Sequence, residues 1–218
     1  MMPADATSGR HGTRIRSDRL LLVEGRDEVN LFDALMKHCL DAESTVQVID
    51  AGGKDRFSKN LKAISTAARA RPSLRAIGVV RDADNDAAGA FRSVCDHIRN
   101  VGYEPPAAHG VYSDATPSMG VFIVPNGEEP GAIETLCRQS REGDDVAKCV
   151  DEYLNCLDGN DAMRSANEDK SFAHAYLAAM EDPVARVGEG ARQGVWDFES
   201  VAFAELSEFV RTLAANVR

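Results

Sequence analysis

Four short apolar segments alternate with amphipathic segments through the first 125 residues, and this alternation limits the fold more than any other feature. The strand patterns cover 19–23, 44–50, 74–80 and 119–125, and helical periodicity follows in stretches that begin at Asp27 and cover 54–71 and 87–99. Short hydrophobic strands separated by helices favour a parallel sheet that is covered on both faces. We therefore predict an α/β fold, with a Rossmann-like open sheet of about four parallel strands and helices on both faces.

Beyond residue 130 the periodicity becomes helical. Helices are predicted over 130–141, 144–157, 168–180 and 199–214, with a Gly-rich loop over 188–198 before the last of them. No internal repeat or low-complexity linker separates these helices from the sheet region. We therefore expect a flexible polar tail over 1–17, an α/β domain over 18–136 and a helical extension over 137–218 that packs on the same domain.

The composition argues against several classes of protein. The formal net charge is −10 and the sequence pI is near 5.0, so a broad basic groove that grips nucleic acid is not expected. No apolar run approaches the roughly 20 residues that span a bilayer, and residues 1–17 lack the apolar core of a signal peptide. The five cysteines form no CxxC pair. We expect a cytoplasmic protein with reduced thiols and no membrane contact.

Acidic side chains follow two of the predicted strands. Glu24 ends the first strand, Glu28 lies in the first turn of the next helix, and Asp82 and Asp84 end the third strand. Ligands of an open α/β sheet bind outside the carboxyl ends of the strands. If the first and third strands are neighbours, four carboxylates meet there, and at least one pKa rises sharply unless a cation keeps the groups ionised. Because carboxylate oxygens suit Mg²⁺, we interpret the acids as ligands of a shared divalent ion.

The stretch DADND, residues 82–86, has alternative interpretations. An EF-hand loop requires Gly and Glu at the positions of Ala87 and Ser93, so that interpretation fails. A phosphatase of the haloacid dehalogenase type carries its aspartate pair after the first strand, whereas this pair follows the third. The simplest alternative is that Asn85 or Asp86 caps the next helix and that the other acids are solvated. One cap needs only one side chain, so capping leaves the first two aspartates unexplained.

Two stretches together resemble the motifs of a Toprim domain: LLLVEGRDEVNLF, residues 20–32, and AIGVVRDADND, residues 76–86. The Toprim pattern has a glutamate in an EG turn after the first strand and an Asp-x-Asp pair after the third, and Glu24 and Asp82 begin these motifs here. Topoisomerases, bacterial primases and nucleases of the OLD (overcoming lysogenization defect) family share this fold. The chain resembles small stand-alone Toprim proteins of uncharacterised function, related to OLD nucleases but without their ATPase half. The resemblance covers about residues 18–136 and continues more weakly through the C-terminal helices.

The resemblance implies metal-assisted phosphoryl transfer on nucleic acid, with one or two Mg²⁺ or Mn²⁺ ions. It implies that Glu24, Asp82 and Asp84 are metal ligands and that Glu24 is also a candidate general acid or base. Glu28 matches a further acid of OLD-type Toprims and would bind a second ion. The alternative role of Glu28 is to complement the dipole of the helix in whose first turn it lies.

Two further residues are weaker candidates for the same site. Glu134 opens the helix after the fourth strand, where OLD-like proteins carry another metal ligand, although an acid there also complements a helix dipole. Lys170 matches a lysine that OLD-type nucleases carry in a comparable segment, where it would neutralise charge in the transition state. The alternative for Lys170 is a solvated lysine at the start of a helix.

The function that the resemblance implies is a metal-dependent nuclease. DNA is expected as its substrate before RNA, and a protein partner is a further expectation. Topoisomerase and primase activities fit poorly, because the sequence offers no catalytic tyrosine setting, primase zinc finger or Walker motif. A second class stays open, a Toprim module that binds metal and a nucleotide or partner without cutting. A phosphatase that acts on a small phosphorylated substrate is a more distant alternative.

Overall fold

The computed structural model describes residues 15–69, 73–157 and 167–215. A sheet of four parallel strands lies at its centre. The strands are β1 (Arg19–Val23), β2 (Val46–Asp50), β3 (Ala76–Asp82) and β4 (Ser118–Val124), hydrogen-bonded in the order β2-β1-β3-β4. The predicted α/β fold with four parallel strands is confirmed, and β1 and β3 are neighbours.

Helices cover both faces of this sheet. They are α1 (Arg26–Cys39), α2 (Lys54–Arg69), α3 (Ala87–Asn100), α4 (Ile133–Gln139), α5 (Asp145–Leu157), α6 (Glu168–Ala178), α7 (Val187–Arg192) and α8 (Ala204–Ala215), with a 3₁₀ turn at Val201–Phe203. The helices α2 and α3 pack on one face, whereas α1 and α4 to α8 pack on the other. Within the described ranges, no helix is both long enough and apolar enough to cross a membrane.

Successive residues of a strand are buried alternately in two cores, because side chains alternate across a sheet that is covered on both faces. Leu20 and Leu22 of β1 pack with α2 and α3, whereas Leu21 and Val23 pack with the larger group of helices. All seven residues of β4 are buried. This two-sided burial explains why the strands are continuous apolar runs in the sequence.

The C-terminal helices complete the larger core. Phe209 and Leu213 of α8 are fully buried with residues of the sheet, and the side chain of Trp196 is buried with its Nε1 donating to the carbonyl of Val187 at 2.9 Å. The region predicted as a loop over 188–198 instead contains α7, which packs on α1. Residues of the C-terminal helices therefore share a core with residues of the sheet.

The chain contains α7 despite two glycines in the sequence VGEGAR, which weaken a helix. Gly188 explains one of them, since a Cβ at this position would lie 2.1 Å from the carbonyl oxygen of Asp27 in α1. Its N–H donates to Asp27 Oδ1 at 3.1 Å. Asp27, in the first turn of α1, therefore binds α7 through its side chain, and Gly25 is the N-cap of α1.

Two other boundaries differ from the sequence-based expectation. The strand β3 continues two residues past the predicted boundary at residue 80, through Arg81 and Asp82, which pair with Ile123 and Val124 of β4, so Asp82 is the last residue of the strand. The predicted flexible tail over 1–17 falls mainly outside the described residues, but residues 15–17 are fixed. Ile15 is buried, and the backbone N–H of Arg16 donates to Gln47 Oε1 at 2.6 Å.

A pair of glycines makes room for the aromatic side chain that joins the sheet to α8. Gly78 and Gly120 are register partners in β3 and β4. The ring of Tyr112 lies over them, stacks on Phe209 with ring centroids 4.8 Å apart, and donates its hydroxyl to the carbonyl of Phe209 at 3.3 Å. A Cβ on Gly120 would lie 2.4 Å from the Tyr112 ring, so a side chain there excludes the tyrosine from its place.

We expect Gly120→Ala to lower the free energy of unfolding by about 1–3 kcal/mol, because the Tyr112 ring has to move away from α8. Urea unfolding followed by circular dichroism measures this change. The matched control is Gly25→Ala, where a Cβ meets nothing within 4 Å. Because Gly25 is the N-cap of α1, where alanine is less favourable than glycine, the expected loss is below about 1 kcal/mol. Equal stability of the two variants would contradict the packing described for Tyr112.

Candidate metal centre

The strand register brings the acidic residues of β1 and β3 together. Leu22 of β1 is the register partner of Val79 in β3, so Glu24, two residues further along, comes level with Arg81 and next to Asp82. Carboxylate oxygens of Glu24, Glu28 and Asp82 all lie within 4.8 Å of one another. The structure therefore assembles three of the predicted site residues at the carboxyl edge of the sheet.

Glu28 is held against the backbone at the start of α1. Its Oε2 accepts from the N–H of Glu24 at 2.6 Å and from the N–H of Gly25 at 3.4 Å, the reciprocal half of a capping box. Glu28 therefore completes the helix N-terminus and also lies in the acidic group, and its role as a metal ligand stays a prediction. Its second oxygen is left available for a cation.

Asp82 is fixed by the helix on the other side of the cluster. Its Oδ1 accepts from the N–H of Ile133, the first residue of α4, at 3.1 Å. This bond ties the end of β3 to the positive end of a helix dipole, which favours a negative charge at this position. As with Glu28, one oxygen is oriented by the backbone and the other is available for a cation.

Asp84 and Glu134 lie at the margin of this group. The charges of both residues raise the pKa of Asp82, but neither belongs to the set of oxygens within 4.8 Å of one another. Asp84 is exposed and adopts a left-handed φ of 50°, and its backbone forms two hydrogen bonds with Gly131. Glu134 is half-buried in the first turn of α4. Their roles as metal ligands stay predictions.

The structure does not bring Lys170 into contact with the acidic group within the described ranges. Lys170 is exposed in the first turn of α6, where its backbone N–H donates to Asn167 Oδ1 at 2.8 Å. The neighbouring Asp169 does join α6 to the start of α4, because it accepts from Thr135 Oγ1 at 2.6 Å and from Arg138 Nη1 at 3.1 Å. The catalytic role of Lys170 stays a prediction.

Burial and mutual repulsion shift the titration of the cluster. Burial, followed by the charges of Asp82 and Glu24, raises the pKa of Glu28 from 4.5 to about 9, although two backbone N–H groups favour its ionised form. Burial, followed by the charges of Glu24, Glu134 and Asp84, raises the pKa of Asp82 from 3.8 to about 8. Without a cation, both groups therefore hold protons at neutral pH, the first of the two outcomes expected for clustered carboxylates.

An arginine that the sequence analysis did not single out completes the site. Arg81 Nε lies 3.4 Å from Glu24 Oε1, and the two side chains are only 15% and 13% exposed. The guanidinium also lies over the ring of Phe57 in α2, 5.9 Å from its centroid. The sequence signal for Arg81 was its charge at the next-to-last position of β3, which reads AIGVVRD and is apolar up to Val80.

The donor set fits a small divalent cation. It consists of carboxylate oxygens only, two of the three carboxylates are oriented by backbone N–H groups, and the cluster opens at the edge of the sheet where parallel strands place their ligands. Mg²⁺ and Mn²⁺ prefer such hard oxygen ligands and retain water at their other positions. Glu24, Glu28 and Asp82 are the residues that would hold such an ion.

We expect the free energy of unfolding of the ion-free protein to fall as pH rises from about 5 to about 9. The pKa of Glu28 and that of Asp82 are raised on folding, so the folded state binds more protons than the unfolded state in this range, and stability decreases with pH. Urea unfolding at a series of pH values in a chelator measures the slope. Saturating Mg²⁺ should make the decline of the free energy of unfolding with pH shallower or reverse it, because the ion stabilises the ionised carboxylates.

The variant Glu28→Gln is the matched test of this pH dependence. It keeps a side-chain oxygen for the N–H groups of Glu24 and Gly25 but cannot titrate, so the decline with pH should become shallower. Ion-free stability that rises from pH 5 to 9 in the wild-type protein would contradict the raised pKa values of Glu28 and Asp82.

Comparison with known proteins gives a family without an assigned activity. Neither the curated proteins nor the solved structures contain a match to this chain. The family described as "Protein of unknown function (DUF3226)" matches residues 18–215, which include the sheet, the acidic cluster and all C-terminal helices. The match runs across residue 136 without a break, so the α/β region and the helical extension belong to one family unit. The chain is a member of the DUF3226 family.

Proposed function

We propose that this protein is a Mg²⁺- or Mn²⁺-dependent nuclease of the Toprim type, which hydrolyses phosphodiester bonds. The observation that carries the proposal is the approach of Glu24, Glu28 and Asp82 to within 4.8 Å of one another at the carboxyl edge of a parallel sheet. The motifs that contribute these residues are those that resemble a Toprim domain, and the strand order makes them neighbours.

The protein residues prepare the site before substrate arrives. Glu28 and Asp82 are each fixed through one oxygen by backbone N–H groups, so their free oxygens are placed without loss of side-chain freedom at the moment of binding. A divalent ion held by Glu24, Glu28 and Asp82 would supply positive charge beside a substrate phosphate and would make a nearby water easier to deprotonate. Asp84 and Glu134, at the margin, are the candidates for further ligands of this ion or for contact with its water shell.

In the hydrolysis that we propose, a water oxygen attacks phosphorus, and the bond from phosphorus to one ester oxygen breaks. The proton lost by the water passes to a carboxylate of the cluster, for which Glu24 is the candidate general base. The departing ester oxygen gains a proton, and the products are a phosphomonoester end and a hydroxyl end.

A second candidate function is supported by the charge of the chain. A net charge of −10 opposes binding of nucleic acid along an extended surface, and it favours a module that binds a metal ion and a nucleotide or partner without cutting. The two candidates predict different outcomes with the same materials. The nuclease turns over, whereas the binding module saturates with its ligand and releases it unchanged.

Incubation with supercoiled plasmid, single-stranded DNA or RNA in Mg²⁺ or Mn²⁺ should give cleavage that a chelator abolishes. We expect Asp82→Asn to reduce the rate on the order of 100-fold or more, because it removes one charged ligand. Gel assays with purified protein measure the effect. The control is Asp86→Asn, which alters a largely exposed helix cap in the same loop and preserves its capping oxygen. Absence of cleavage of all three substrates, or equal rates for Asp82→Asn and the wild type, would contradict the nuclease proposal.

The same Asp82→Asn variant should be more stable than the wild type in chelator at pH 8, by at least about 1 kcal/mol. The amide keeps an oxygen for the N–H of Ile133 but removes a buried carboxylate that repels Glu24 and Glu28. Urea unfolding measures the difference. A gain in stability together with a loss of cleavage separates removal of a ligand from damage to the fold.

A further inference from the structure

A cation that belongs to the chain lies on one side of Glu24, and the acidic group lies on the other. Side chains alternate along β3, so Arg81 and Asp82 leave the strand on opposite faces, Arg81 toward Phe57 of α2 and Asp82 toward Ile133 of α4. Glu24 directly follows the neighbouring strand β1; its Oε1 lies 3.4 Å from Arg81 Nε, and a carboxylate oxygen of Glu24 lies within 4.8 Å of one of Asp82. It therefore lies between the guanidinium and the other two carboxylates.

The guanidinium keeps its charge in every state of the site. An arginine is protonated throughout the accessible pH range, and Arg81 has one polar partner within the described part of the chain, Glu24. Removing a largely buried guanidinium from its carboxylate is costly. The ion pair is therefore expected to persist when a divalent ion binds on the other side of Glu24, with one cation on each side of the carboxylate.

The surroundings of Arg81 also suit an anion. Phe57 belongs to the first turn of α2, so the guanidinium lies near the positive end of this 16-residue helix. Arginine carries five N–H donors. The Nε of Arg81 faces Glu24 in an ion pair and is not aligned for a hydrogen bond, and the terminal Nη groups bond to no protein acceptor in the described ranges. These groups can donate to a phosphate oxygen that approaches the edge of the sheet.

We propose that Arg81 is a permanent positive charge in a site that binds one divalent ion. Its guanidinium occupies the side of Glu24 that a second divalent ion would need, and its free N–H groups bind the phosphate of the substrate. The inference rests on the proposed function and selects one ion from the one or two that the Toprim resemblance allows. Arg81 is a positioning residue for Glu24 and a binding residue for phosphate.

Titration calorimetry with Mn²⁺ alone tests the ionic part of this inference. We expect one ion per wild-type chain. Arg81→Gln should bind Mn²⁺ about tenfold more tightly or better, because it removes a positive charge beside the site. Arg81→Lys should bind like the wild type, since it keeps the charge. The control Arg92→Gln makes the same change at an arginine whose side chain is 69% exposed, and it should leave the affinity for Mn²⁺ unchanged.

The phosphate part is tested with thymidine 5′-monophosphate in the presence of Ca²⁺. We expect binding to the wild type and to Arg92→Gln, with a loss of about tenfold or more in Arg81→Gln. In Arg81→Gln, the affinity for Mn²⁺ should therefore rise while the affinity for thymidine 5′-monophosphate falls. If Arg81 served only to hold the fold together, its removal would weaken both ligands or neither.

Several outcomes overturn the inference. For Mn²⁺, these are two ions bound per wild-type chain with comparable affinity, no bound ion, or weaker or unchanged binding by Arg81→Gln. For thymidine 5′-monophosphate, these are no binding by the wild type, or binding that Arg81→Gln leaves intact. Cleavage of nucleic acid by a protein that binds two ions would refute the inference and keep the nuclease proposal. The expected binding results without any cleavage would refute the nuclease proposal and keep the role of Arg81.

Discussion

Repulsion between carboxylates at the junction of β1 and β3 is the constraint on which the rest of the site depends. The register brings Glu24 beside the end of β3, and the N-termini of α1 and α4 bring backbone N–H groups to Glu28 and Asp82. These N–H groups and the guanidinium of Arg81 offset part of the repulsion, and bound protons offset the remainder in the ion-free state, as the raised pKa values of Glu28 and Asp82 indicate.

At pH values above the ordinary pKa of its carboxyl groups, such a cluster lowers the free energy of unfolding. Folding alone therefore explains the arrangement poorly. A chain selected only for stability would replace Asp82 by an amide or an apolar residue, because the first five residues of β3 are buried and apolar. Groups with strongly shifted pKa values concentrate at functional sites. The energetic cost therefore supports a bound cation and, through it, the proposed chemistry.

The sequence predicted the features that depend on local patterns. Apolar runs located the four strands, and the carboxyl ends of β1 and β3 located Glu24 and Asp82. The sequence did not predict features that depend on close approach between distant segments: α7, whose Gly188 permits contact with α1, and the place of Tyr112 over Gly120. The sequence also leaves the direction of an exposed side chain undetermined, so the catalytic role of Lys170 stays a prediction.

The overall charge and the acidic site together suggest an order of binding in the proposed nuclease. With a net charge of −10, the ion-free chain repels a polyanion at long range and attracts divalent cations. The carboxylates bind no phosphate by themselves, whereas an ion held by Glu24, Glu28 and Asp82 links them to one. The cation would therefore bind first. The phosphate would then be bound by this cation and by Arg81, whose positive charge does not depend on the ion. Nucleic acid would be held mainly at the scissile phosphate rather than along an extended groove, which is consistent with the acidic composition.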